Sequence, residues 1–163
     1  MTDVASFFGN GDVSFGSSPD TDCGPLCVNG VSQYIAPTSF TPVLQFGSGG
    51  TQPTATAAGQ YTVNGNQVQA VVQIYVTNLG SATGNATITG LPIADNATFE
   101  GACTPSYFGG MGAGGGINYL IAEIQPSSTV ISLYNMISGN ESSLTNANFV
   151  VGSNLQFTCM YMR

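Results

Sequence analysis

Residues 67–77 read QVQAVVQIYVT. Val68, Ala70, Val72, Ile74 and Val76 are apolar, while Gln67, Gln69, Gln73, Tyr75 and Thr77 carry polar groups. Side chains of a strand alternate between its two faces, so a period of two predicts a strand with one dry and one wet face. Just upstream, Tyr61-Thr62-Val63 runs into Asn64-Gly65-Asn66, a hairpin-turn signal. Downstream, TGNATITGLP (83–92) sets Ala86 and Ile88 against Asn85, Thr87 and Thr89. Gly90-Leu91-Pro92 then ends that strand, because proline has no N–H to give to a ladder.

The same pattern predicts strands at about 117–125, 129–135, 147–151 and 154–162. In the last of these, Leu155, Phe157, Cys159 and Tyr161 share a face. Turn clusters lie between strands, among them Asn78-Leu79-Gly80 and the glycine-rich FGGMGAGGG at 108–116. No stretch carries a helical period. About seven to nine short strands without a helix predict an all-β fold, an antiparallel β-sandwich or jelly roll over residues 40–163.

Residues 1–39 have neither period and hold four of the eight acids. Phe7, Phe8, Phe15 and Tyr34 are many aromatics for a solvated linker. They predict an extended N-terminal arm that becomes ordered by lying against another surface, with these four rings as its partner-binding residues. A chain of 163 residues is the size of one ordinary domain.

Charge excludes several functions. Only 6% of residues are charged, the net charge is −7, and Arg163 is the sole basic residue. Without lysine or arginine to neutralise phosphates, neither nucleic acid nor an anionic membrane is an expected partner. The N-terminal MTDVASFF has no positive region and no long apolar run, so no signal peptide is expected. An all-β domain usually guards its sheet edges with lysine. This chain has none, which predicts edges that are short, bulged or covered by another subunit.

Catalytic chemistry is scarce. With no His and no Lys, the commonest general bases and nucleophile partners are missing. Asp95 and Glu100 are the nearest carboxylate pair within the folded region, in a loop-like PIADNATFEGAC where solvated acids are ordinary. Gly110, Gly112 and Gly115 match a dinucleotide spacing, but a strand rather than a helix is expected after them. Asp12, Asp20 and Asp22 lack the spacing of a calcium loop. No enzyme, cofactor or metal is therefore expected. The four cysteines allow three pairings, and the sequence leaves them open. Cys23 and Cys27 bracket Gly-Pro-Leu and form a candidate disulfide; paired C-x-x-C zinc knuckles are absent.

The run from Phe40 to Leu91, with FTPVLQFGSGG followed by GQYTVNGNQVQAVVQIYVTNLGSATGNATITGLP, resembles a β-domain of accessory virion proteins of tailed bacteriophages. The resemblance is close over about 50 residues and loose towards Arg163. It implies a homotrimeric structural protein of the virion, made in the host cytoplasm. The leading expectation is a capsid decoration (cement) protein whose arm binds the major capsid protein or another virion protein. The alternative is a short tail, neck or head fibre with a receptor-binding domain. In that case a host surface glycan is the candidate ligand, and Tyr107 and Phe108 form the candidate recognition loop.

Overall fold

The computed structural model describes residues 35–163 apart from 97, 112–116, 118 and 138, together with the backbone of four short strands nearer the N-terminus. The chain divides into two units, Met1–Ala36 and Pro37–Arg163. In the first, β1 (Ser6–Phe7), β2 (Val13–Phe15), β3 (Cys27–Val28) and β4 (Val31–Ser32) make a small sheet in that order. The side chains of Phe7, Phe8, Phe15, Tyr34, Cys23 and Cys27 lie outside the described residues, so the arm contacts and the Cys23–Cys27 pair are left as expectations.

The second unit is all-β. Its strands are β5 (Thr38–Phe40), β6 (Val43–Ser48), β7 (Thr54–Asn64), β8 (Gln67–Asn78), β9 (Thr83–Thr89), β10 (Gly101–Met111), β11 (Leu120–Ile124), β12 (Ile131–Ile137), β13 (Asn140–Ser143) and β14 (Phe149–Met162). They form one antiparallel sheet in the order β5-β7-β8-β14-β10-β11-β12-β9-β6, with β13 added on β12. The two ends of that order, β5 and β6, are consecutive in the chain and separated only by Thr41 and Pro42. Laid flat, nine strands would part the end strands by about 38 Å. Three residue steps reach only about 11 Å. The sheet must therefore curl until its edges meet, giving a sandwich-like half-barrel.

Gln52 spans the seam. The Phe46 N–H donates to its Oε1 at 2.8 Å, and its Nε2 donates to the Phe46 carbonyl at 3.1 Å. One side-chain amide thus stands in for the next strand on β6, satisfying an edge that has no lysine to guard it.

The curl explains the core. Alternate residues of every long strand point inward, and the even positions of β8 from Val68 to Val76 are all fully buried. Leu155, Phe157 and Cys159 of β14 and Ile124, Ile131 and Leu133 of β11 and β12 join them. Phe46 and Phe149 pack with ring centroids 5.2 Å apart. At the edge pair Phe40–Gly59, the phenyl ring occupies the space a glycine leaves, and a Cβ on Gly59 would meet that ring at 2.6 Å. Phe40 also packs edge-on against Tyr61.

Cys103 on β10 and Cys159 on β14 face each other in register and are bridged, both buried. Strand register, which the cysteine spacing does not encode, selects this pairing. A bridge across 56 positions contributes about 2–4 kcal/mol, chiefly by restricting the unfolded chain.

Two sequence expectations are corrected. The glycine-rich stretch expected to be a turn from Phe108 is strand as far as Met111. The separate strands expected at 147–151 and 154–162 are one, β14, bent at Gly152 with φ +95°. The first strand of this sheet, β5, begins at Thr38, two residues before the expected sandwich.

Candidate functional site

The wet face of the sheet carries the distinctive chemistry. On β7 the outward side chains are Thr54, Thr56, Ala58, Gln60, Thr62 and Asn64. On β8 they are Gln67, Gln69, Val71, Gln73, Tyr75 and Thr77, and on β14 Asn154, Gln156, Thr158, Met160 and Met162. None is charged. The register fixes their neighbours. Gln60, Val71, Thr158 and Thr104 form one cross-strand row, and Ala58, Gln73, Gln156 and Tyr107 the next. Thr56, Tyr75 and Asn154 follow.

Short Val71 sits between two long glutamines, so the face is furrowed there. Depressions of about 360 and 200 Å³ share Gln60 and Val71. The larger reaches Gln73 and Ala58, and the smaller reaches Gln69 and Thr62. Val71 is 50% exposed and Tyr75 46%. The larger depression is also lined by Ser39, Phe40, Ala57 and Gly59 and the smaller by Pro37 and Tyr61, so both run to the β5 side of β7, and Tyr75 lines neither.

Tyr107 and Phe108 lie within β10, not in a loop. A bulge after Pro105 brings Tyr107 opposite Gln156 on the outer face, and Phe108 opposite the buried Leu155. The two rings therefore belong to opposite faces. The Tyr107 hydroxyl comes within 2.6 Å of where a Gly109 side chain would start. Asn154, in register with Gly109 and Tyr75, keeps its Oδ1 buried with no hydrogen-bond partner among the described residues.

The acids are elsewhere. Asp95 is buried, with its Oδ1 accepting the Asn96 N–H at 2.8 Å and its Oδ2 left without a partner among the described residues. Glu100 is exposed and, with Glu141, acts on Glu123. Burial first, and then those two neighbouring carboxylates, raise the Glu123 pKa. The Tyr161 hydroxyl, also unpartnered among the described residues, is pushed up to about 12 by burial first and then by Asp95 and Tyr61. Asp95 thus lies by a buried phenol, and Glu100 by other surface acids. Among the described residues no group of three or more metal-ligating side chains occurs, and no helix is long and apolar enough to cross a membrane. Gly112 and Gly115, and the acids Asp12, Asp20 and Asp22, lie outside the described residues.

The amide furrow was not singled out in the sequence. Its signal was present in Gln67, Gln69 and Gln73 on alternate positions, but their counterparts Gln60 and Gln156 are brought beside them only by the register.

No protein-family model matches the chain, and no curated protein matches it. Among solved structures, its fold is similar to part of the crystal structure of the Dettilon tailspike protein, with a TM-score of 0.65 and 18% identity. The match covers 78% of this chain and 24% of the tailspike chain, so the chain spans about a quarter of the protein it resembles. At that identity the likeness is one of fold.

Proposed function

We propose that this protein is a structural component of a tailed-bacteriophage particle, and that its half-barrel works by binding rather than by catalysis. The observation that carries the reading is the recurrence of this sheet as a segment of a phage tailspike. The sequence likeness of Phe40–Leu91 to accessory virion domains supports it independently. A non-enzymatic role is supported by the lack of His and Lys and by the different surroundings of Asp95 and Glu100.

On the particle, an appendage at the tail, neck or head is the favoured place, because the neighbour in fold is itself an appendage. Capsid decoration by a trimer is the second reading, supported by the likeness of the same stretch to outer domains of cement proteins. In either place repeated copies would multiply weak contacts.

Quantitative mass spectrometry of purified particles, scaled to the major capsid protein, separates the readings. A few to a few dozen copies are expected for an appendage. Hundreds in fixed ratio would establish decoration instead. Absence from purified particles would overturn the virion reading altogether.

A further inference from the structure

We propose that Asn64, at the tip of the β7–β8 hairpin, is a site of spontaneous modification, where the side-chain amide becomes a carboxylate by way of a cyclic imide with Gly65. The reaction needs no enzyme and no partner. The site is independent of the structural role and is present wherever the particle carries the domain.

The Gly65 backbone nitrogen attacks Asn64 Cγ and the Cγ–Nδ2 bond breaks. Nδ2 leaves as ammonia with the proton that the Gly65 nitrogen gives up. Water then opens the ring at either carbonyl, and its second proton goes to that nitrogen. Opening at the side-chain carbonyl gives aspartate. Opening at the main-chain carbonyl gives isoaspartate, whose backbone runs through the former side chain. Water is the only reagent, and nothing is oxidised or reduced.

The structure singles out this residue. Asn64 is exposed, and among the described residues it is the one asparagine followed by glycine; Asn10 and Asn29 also precede glycine but lie outside them. Gly65 takes φ +59°, as a tight hairpin turn requires, and nothing lies within 4 Å of where its Cβ would be. Its nitrogen is therefore open to approach on that side. Other asparagines are held. Asn78 and Asn96 accept the N–H groups of Gly80 and Thr98 at 2.7 and 2.8 Å, and Asn146 and Asn148 those of Gly84 and Thr145 at 3.1 and 2.8 Å. No hydrogen bond to a described residue holds the Asn64 side chain. Ring closure also needs the Asn64 backbone to turn out of the extended range. The Asn64–Gln67 pair is the last of the hairpin ladder, and end pairs open most readily.

The product alters a neighbourhood that lacks charge. Asn64 begins the outward row that continues through Gln67 to Met162, so a carboxylate here is the first charge on the wet face of β7, β8 and β14. It adds one negative charge to the −7 of the fresh chain. The Arg163 N–H donates to the Asn66 carbonyl at 2.9 Å, which puts the sole basic residue beside the same turn.

Incubation of the full chain in warm, mildly alkaline buffer tests this, with a parallel sample held unfolded in urea. Hydroxylamine, which cleaves the cyclic imide, should cut the folded chain between Asn64 and Gly65. Chymotryptic mapping by mass spectrometry should find both acids at position 64, isoaspartate in excess, while Asn78, Asn96, Asn146 and Asn148 remain amides. Asn64→Gln, whose longer side chain closes its ring far more slowly, should abolish the cut at this position with the thermal midpoint unchanged. An amide that persists at position 64 in the folded chain while converting in urea would overturn the proposal, because the hairpin would then protect it. So would conversion confined to Asn10 and Asn29, or conversion of Asn78 and Asn96 as fast as that of Asn64. Copy number on the particle is unaffected by any of these outcomes, so the two proposals fail separately.

Discussion

A single hydroxyl illustrates how little this protein relies on ionisable groups. Tyr161 is buried with its oxygen unpartnered among the described residues, and its pKa is pushed up to about 12 by burial and by Asp95. An unfolded tyrosine ionises near 10. Between those values the folded state holds a proton that the unfolded state has lost, so stability is full below about pH 10 and drains away as the pH climbs towards 12. Tyr161→Phe should remove that part of the alkaline loss. Denaturant unfolding at pH 9 and pH 11.5 should show a smaller drop for the variant than for the parent, and equal drops would contradict the burial of this phenol. At pH 7 the same variant should cost little, because the hydroxyl it deletes has no bond to lose.

At the scale of strands, legibility in the sequence followed side-chain size. β8 could be read directly, since five β-branched or small apolar residues alternate with polar ones. β7 could not, apart from its Tyr61-Thr62-Val63 end, because Thr54 and Thr56 of TATAAGQ stand among small Ala and Gly residues with little strand preference, and the stretch is held in place by pairing with β8. β10 was missed for a related reason: Pro105, a bulge and two glycines interrupt its alternation. The disulfide and the furrow are products of register and became visible only once the strands were paired. The seam is such a product too, and it makes a prediction. Gln52→Ala removes both bonds to Phe46, and should cost about 1–3 kcal/mol by leaving edge groups of a buried residue unsatisfied. Amide exchange at Phe46 should quicken markedly while that of Val72, in mid-sheet, follows only the global loss. Unchanged exchange at Phe46 would mean another group closes the seam.

For the molecule as a whole, the division at Ala36 and Pro37 matters most. The sheet unit owns its core, its bridge and its seam, so removal of residues 1–36 should leave it folded, with a thermal midpoint within a few degrees of the parent. Cutting at residue 39 would take Thr38 and Ser39 of β5 and leave Phe40, whose ring covers Gly59, as the first residue of the chain. If the first unit is the attachment device, the 37–163 protein should be absent from particles assembled in its presence. Incorporation at full occupancy would show that attachment lies in the half-barrel.

The place of β14 in the sheet has a consequence for the birth of the protein. This strand joins β8 on one side to β10 on the other, yet it comes after all the other strands of the sheet in chain order. Until Phe149–Met162 emerges, the nascent chain holds β5, β7 and β8 as one fragment and the strands from β10 to β6 as another. Each ends in a long bare edge with no charge to repel its neighbours, and Cys103 waits for its mate. The keystone comes last in chain order, so the half-barrel cannot close until every other strand of the sheet has been made, and crowded nascent chains are at their stickiest until then.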